Sequence, residues 1–189
     1  MRTLAIIGSL FLLALLGGLI YIYSGYYNVA ATSQESTLQR WLVHTVMENS
    51  VKYHATDLKT PDLLNPDIAK SGFDHYDEMC VACHGAPGLE KSELSKGLSP
   101  AAPDLAKVVD EWSSAELFWI IKHGVNMTGM PAWGPTHSDE KIWAMVAFIK
   151  SLPKLTPEGY QDMRKEAQSE HSEEHEHEHS HDREHSHTH

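Results

Sequence analysis

From Leu4 to Tyr23 the chain is apolar throughout, relieved only by Ser9 and three glycines, and it carries no charge. Its 20 residues, at about 1.5 Å of rise each, match the ~30 Å hydrocarbon core of a bilayer when helical. Beyond this run the pattern changes period. Between residues 33 and 55, Leu38, Trp41, Leu42 and Val46 recur near every 3.6 residues, with Thr45 and Asn49 on the same stripe. An amphipathic helix is predicted there, capped by Ser33 or Ser36. His44 and His54 lie in this segment and read as polar-face or half-buried side chains.

Thr60-Pro61-Asp62 and Asn65-Pro66-Asp67 are proline-marked turns, a linker followed by a helix start. The helix from Pro66 to about Cys80 carries Ile68, Gly72, Phe73 and Tyr76 on one stripe. After His84 the chain turns to loop, because Gly85, Pro87, Gly88, Gly97, Pro100 and Pro103 break every regular element. Ser113 with Glu116 three residues on is a capping box, opening a helix that ends at Gly124. A loop with Met127, Gly129, Met130, Pro131 and Trp133 follows. Ser138-Asp139-Glu140 then starts a last helix, with Ile142, Met145, Val146 and Ile149 facing one way, up to Leu152-Pro153. There is no strand pattern and no internal repeat. The expected organisation is an anchor at 1–25, an amphipathic helix and linker at 26–65, a helical domain at 66–155 and a tail at 156–189.

Charge and flanking residues give the apolar run a direction. Arg2 and the amino terminus are the positive side, and Tyr21, Tyr23, Tyr26 and Tyr27 gather at the other end, where amphipathic rings favour the interface. This predicts a single-pass anchor with its N-terminus in the cytoplasm and everything after Tyr23 outside it. A cleaved signal peptide, cut near Val29-Ala30-Ala31, is the competing reading; a signal core is usually about 7–15 residues, shorter than this run. The net charge is −11, and residues 166–189 hold eight acids and one arginine. No basic patch is present, so nucleic-acid binding is not expected.

The only two cysteines fall in Cys80-Val81-Ala82-Cys83-His84. Thiols one helical turn apart can each form a thioether to a vinyl group of one porphyrin, and the next residue, His84, is then placed to ligate its iron. A thioredoxin-like pair should follow a strand in a βαβ unit, which is not visible here. A zinc site needs further ligands at matching spacing, and there is no third cysteine. The motif therefore predicts one covalently attached haem c. The glycine- and proline-rich loop after His84, with apolar Leu98, Pro100, Pro103 and Leu105, suits a backbone that must approach a flat cofactor.

Taken in order, Cys-x-x-Cys-His-Gly, the helix after Ser113 and Gly-Met-Pro-Ala-Trp resemble a membrane-anchored, monohaem bacterial class I cytochrome c over about residues 70–153. Gly72 and Tyr76 resemble that family's N-terminal helix packing on the last helix, here through Met145 and Phe148. The resemblance implies an all-α class I cytochrome c fold, about three core helices round an edge-exposed haem. It also implies His84 as proximal and a methionine as distal iron ligand, with a carbonyl near Pro100 or Pro103 accepting the free histidine N–H. Met130 is the expected distal ligand. Pro131 fixes its own φ and biases Met130 toward extended backbone, while Gly129 permits close approach; Met127 lacks these flanks and is expected to pack at the haem edge.

Thioether ligation closes the iron to substrate, so the implied function is single-electron transfer between periplasmic or membrane redox partners, with no small-molecule substrate and no enzyme activity of its own. The implied location is the bacterial inner membrane with the haem domain in the periplasm. Lys91, Lys96, Lys107 and Lys122 are scattered among Glu90, Glu93, Asp104 and Glu116, so no strongly acidic partner is implied. The alternatives are a haem enzyme or gas sensor with an open or labile distal site, and a subunit of a larger oxidoreductase. The tail holds eight of the fourteen histidines and nothing aliphatic or aromatic after Ala167, which predicts disorder and loose binding of Zn²⁺, Ni²⁺ or Cu²⁺.

Overall fold

The computed structural model describes residues 2–33 and 36–169. Two units divide the chain, 1–36 and 37–189. The first consists of α1 (Arg2–Tyr23), a helix long and apolar enough to cross a membrane, with no buried residue.

The second unit is helical, with no named strand among the described residues. It begins with α2 (Thr37–Ala55), and Asn65 then opens α3 (Pro66–His75) by accepting a hydrogen bond from Asp67 N at 3.0 Å, with Pro66 in the first turn. The chain stays helical through a π-turn at Tyr76–Cys80 and a short α4 (Val81–His84). The expected helix thus runs on, with one widened turn that ends on the first of the two thiols. Short α5 (Glu93–Lys96) and α6 (Leu105–Val108) interrupt the following loop. Then come α7 (Ser114–His123) with its capping box, α8 (Asp139–Ser151), and α9 at residues 157–169.

The core is the crossing of α3 and α8. A Cβ on Gly72 would sit 2.0 Å from the carbonyl oxygen of Ala144, so the two backbones touch and only glycine fits. Around that contact, Phe73 and Tyr76 pack on Phe148 with ring centroids 5.4 and 5.2 Å apart, and Met145 is fully buried. α7 covers α8 with Leu117, Phe118 and Ile121, and Phe118 stacks on Trp143. Lys150 Nζ donates to the carbonyls of Val109 and Trp112, closing the far end of α8.

Two expectations change. The stripe on α2 does not face the core: Leu38, Trp41, Leu42 and Val46 are all exposed, and the buried residues are Val51 and Ala55 near its C-terminus. That end lies on α7, where His54 stacks on Trp119 at 5.4 Å with planes 8° apart. The domain also continues past 155. Tyr160 on α9 is wholly buried beside Phe73 at 5.4 Å, and Met163 and Ala167 pack on the same cluster. Residues 157–169 therefore belong with the helical core rather than with the tail. The histidines from 171 onward lie outside the described residues.

Candidate haem-binding site

Cys80 ends the π-turn and is buried; Cys83, on α4, is partly exposed; neither forms a disulfide. Burial first, then the neighbouring Cys83, pushes the Cys80 thiol up to about 12, so it stays protonated at neutral pH. His84 is the last residue of α4. Its Nδ1 lies 2.9 Å from the carbonyl oxygen of Pro103, which can only accept, so the ring donates from Nδ1 and carries its lone pair on Nε2. Burial lowers the imidazole pKa and the Pro103 bond partly restores it. Of the two prolines the sequence leaves open, Pro103 is the one in contact.

The backbone on either side of His84 is held as firmly as its ring. Ser95, a buried residue on α5, donates its hydroxyl to the carbonyl of Cys83 at 2.6 Å. Tyr76, fully buried, donates its hydroxyl to the carbonyl of Gly85 at 2.6 Å. Burial raises the Tyr76 phenol well above its usual range, which keeps that proton in place. Gly85 turns the chain with φ of +72°, where a side chain is disfavoured. Lys91 Nζ bonds the carbonyl of Ala102, tethering the segment that carries Pro103.

Met130 sits in the loop between α7 and α8. Its carbonyl accepts from Val125 N at 3.2 Å, and its own N–H donates to Thr128 Oγ1 at 3.1 Å. Trp133 N and Gly134 N donate to the carbonyls of Ile121 and Lys122, so the loop folds back along the end of α7. Gly124 makes this possible: a Cβ there would lie 2.7–2.8 Å from Met130, Pro131 and Ala132 backbone atoms. The Met130 side chain is half-buried against the core cluster. Met127 is 91% exposed at φ of +60°.

One segment touches both the His84 stretch and the Met130 loop. Pro103 holds the His84 ring, and Leu98, five residues earlier, closes on Gly129, where a Cβ would stand 2.7 Å from its Cδ2. Two unpaired thiols, an imidazole with a free Nε2 and a half-buried thioether make a donor set whose chemistry fits haem c. The hydroxyls of Tyr76 and Ser95 are functional groups that the motif does not announce. Tyr76 was legible only as a packing ring, and Ser95 lies in a polar stretch with no signal of its own.

Residues 67–149 match the family described as cytochrome c oxidase, cbb3-type, subunit III. The chain is 26% identical over 118 residues to the cbb3-type cytochrome c oxidase subunit FixP of Rhizobium meliloti (strain 1021), covering 59% of this chain and 36% of that protein. It is 32% identical over 95 residues to the corresponding subunit FixPc of Rhizobium leguminosarum bv. viciae, covering 47% and 29%. The chain thus spans about a third of the length of the curated relatives it matches.

Proposed function

We propose, from the premise that residues 67–149 are a c-type cytochrome domain, that this protein carries single electrons between redox partners at a membrane. When bound, haem c supplies a one-electron iron couple. Cys80 and Cys83 would hold it through thioethers, and His84 Nε2 and the Met130 thioether would ligate its iron. Pro103, Tyr76 and Ser95 keep the His84 unit from turning away, and the bonds along the Val125–Gly134 loop keep Met130 in place. Rigid ligands matter for this work, because a carrier that changes its coordination with each electron adds reorganisation to every transfer.

The observation that carries this reading is the His84 ring, fixed with Nε2 free by Pro103 and adjoining two unpaired thiols. The reduced full-length protein is mixed with carbon monoxide while its spectrum is followed. No change without denaturant supports the closed carrier. Rapid formation of a carbonyl adduct supports the alternative, an enzyme or sensor with a labile distal site.

The oxidase-subunit names of the relatives support a more specific reading, that the protein works within a larger oxidoreductase. α1 then serves as a single-pass anchor in a bacterial inner membrane, N-terminus cytoplasmic and haem domain periplasmic. The His-rich tail adds binding of Zn²⁺, Ni²⁺ or Cu²⁺.

A further inference from the structure

Away from the residues assigned to the iron, two half-buried imidazoles meet where α3 approaches the segment leading into α8. His75 ends α3 and His137 precedes the α8 cap Ser138; their ring centroids are 5.3 Å apart with planes at 87°. We propose that His75 and His137 form a two-imidazole site for a borderline divalent ion, Zn²⁺ or Cu²⁺, separate from both the haem and the tail.

The spacing suits such an ion. Nitrogen–metal bonds of about 2.0–2.1 Å in a tetrahedral shell bring two imidazole centroids to roughly 5 Å. The ring planes are free, since each imidazole can rotate about its own bond to the metal. One ring has an outer hydrogen-bond partner. The Thr136 hydroxyl lies 3.3 Å from the Trp133 carbonyl and 2.9 Å from His137 Nδ1; with its hydrogen on the carbonyl, its oxygen accepts from Nδ1–H. In that tautomer His137 presents its lone pair on Nε2, as a ligand histidine held by an outer hydrogen bond does.

Asp74, Glu78 and Lys141 lie close enough to His75 to act on its charge. Those two carboxylates add attraction for a cation, Lys141 opposes it, and water completes the shell. Imidazole nitrogens of this kind select zinc and copper over magnesium or calcium.

The tail histidines are expected to take up the same ions, so stoichiometry alone does not separate the sites. The experiment is a Zn²⁺ titration of the reduced full-length protein carrying isotope-labelled histidine, followed by the imidazole nitrogen resonances. His75 and His137 should shift together along one curve. In His137→Gln, His75 should no longer move, while the tail histidines still do and show that zinc is present. Signals of His75 and His137 that stay in place at saturating Zn²⁺ overturn the proposal, as does a His75 shift that persists in His137→Gln.

Discussion

The hydroxyl of Tyr76, with no exposed surface, donates a 2.6 Å hydrogen bond to the carbonyl of Gly85, nine residues on. Gly85 directly follows His84, so one bond ties the helix that packs the core to the residue beside the proposed iron ligand. Replacing Tyr76 by Phe keeps the ring against Phe148 and leaves the buried Gly85 carbonyl unpaired. The expected loss is about 1–3 kcal/mol of stability. Thermal unfolding of the haem-loaded protein checks it, alongside the red-end band of sulfur–iron(III) ligation, which should fade at a lower temperature than in wild type. A Tyr76→Phe protein as stable as wild type means the hydroxyl is not a positioning group.

The C-terminal helix makes a second prediction. Tyr160 donates to Asp77 Oδ1 at 2.8 Å and Arg164 reaches Asp77 Oδ2 at 3.0 Å, so α9 grips the π-turn that leads to Cys80. A chain ending at Ser169 should unfold at the wild-type denaturant midpoint. One ending at Leu155 should lose roughly 2 kcal/mol or more, since it strips the buried Tyr160 from Phe73. Denaturant melts of the two truncations, side by side, decide the point.

The periodic stripes of α3 and α8 were plain in the sequence, as were the Ser113 capping box and the small residue, Gly72, at the helix crossing. The Cys80–His84 motif was equally plain. What stayed hidden depends on tertiary placement. The α2 stripe has helical period, but period does not say what a face meets, and here most of it meets no protein. Tyr160, Met163 and Ala167 stand at helical spacing, yet they sit among polar and charged residues after Pro153 and read as the start of the tail. Pro100 and Pro103 could not be told apart, because a carbonyl's reach to His84 Nδ1 is a property of the folded loop. The bonds of Tyr76 and Ser95 end on backbone carbonyls, which leave no mark on residue type.

The two methionines separate by burial. Met130 is half-buried in a loop pinned at both ends, whereas Met127 projects into solvent. Met130→Ala should abolish the sulfur–iron(III) band and open the reduced protein to carbon monoxide, and Met127→Ala should change neither. Optical spectra of both variants test this. Survival of the band in Met130→Ala assigns the ligand elsewhere.

His75 gives a pH dependence with a definite sign. Its pKa lies below 6.5 in the folded protein, chiefly through burial, so the unfolded chain binds the extra proton more readily. The stability it contributes is therefore present above pH 6.5 and is lost as pH falls through the lowered folded value. Melting temperatures of wild type and His75→Gln should draw apart between about pH 7 and pH 5, with wild type falling more steeply. Parallel curves would contradict the lowered pKa.

Covalent haem at Cys80 and Cys83 is tested most directly by the intact mass of the full-length protein under denaturing conditions. Attachment predicts the polypeptide plus one haem in wild type, and the bare polypeptide in the Cys80→Ala/Cys83→Ala variant. A wild-type chain at its unmodified mass, with all haem recovered in an acid–acetone extract, would show that the motif does not bind haem covalently.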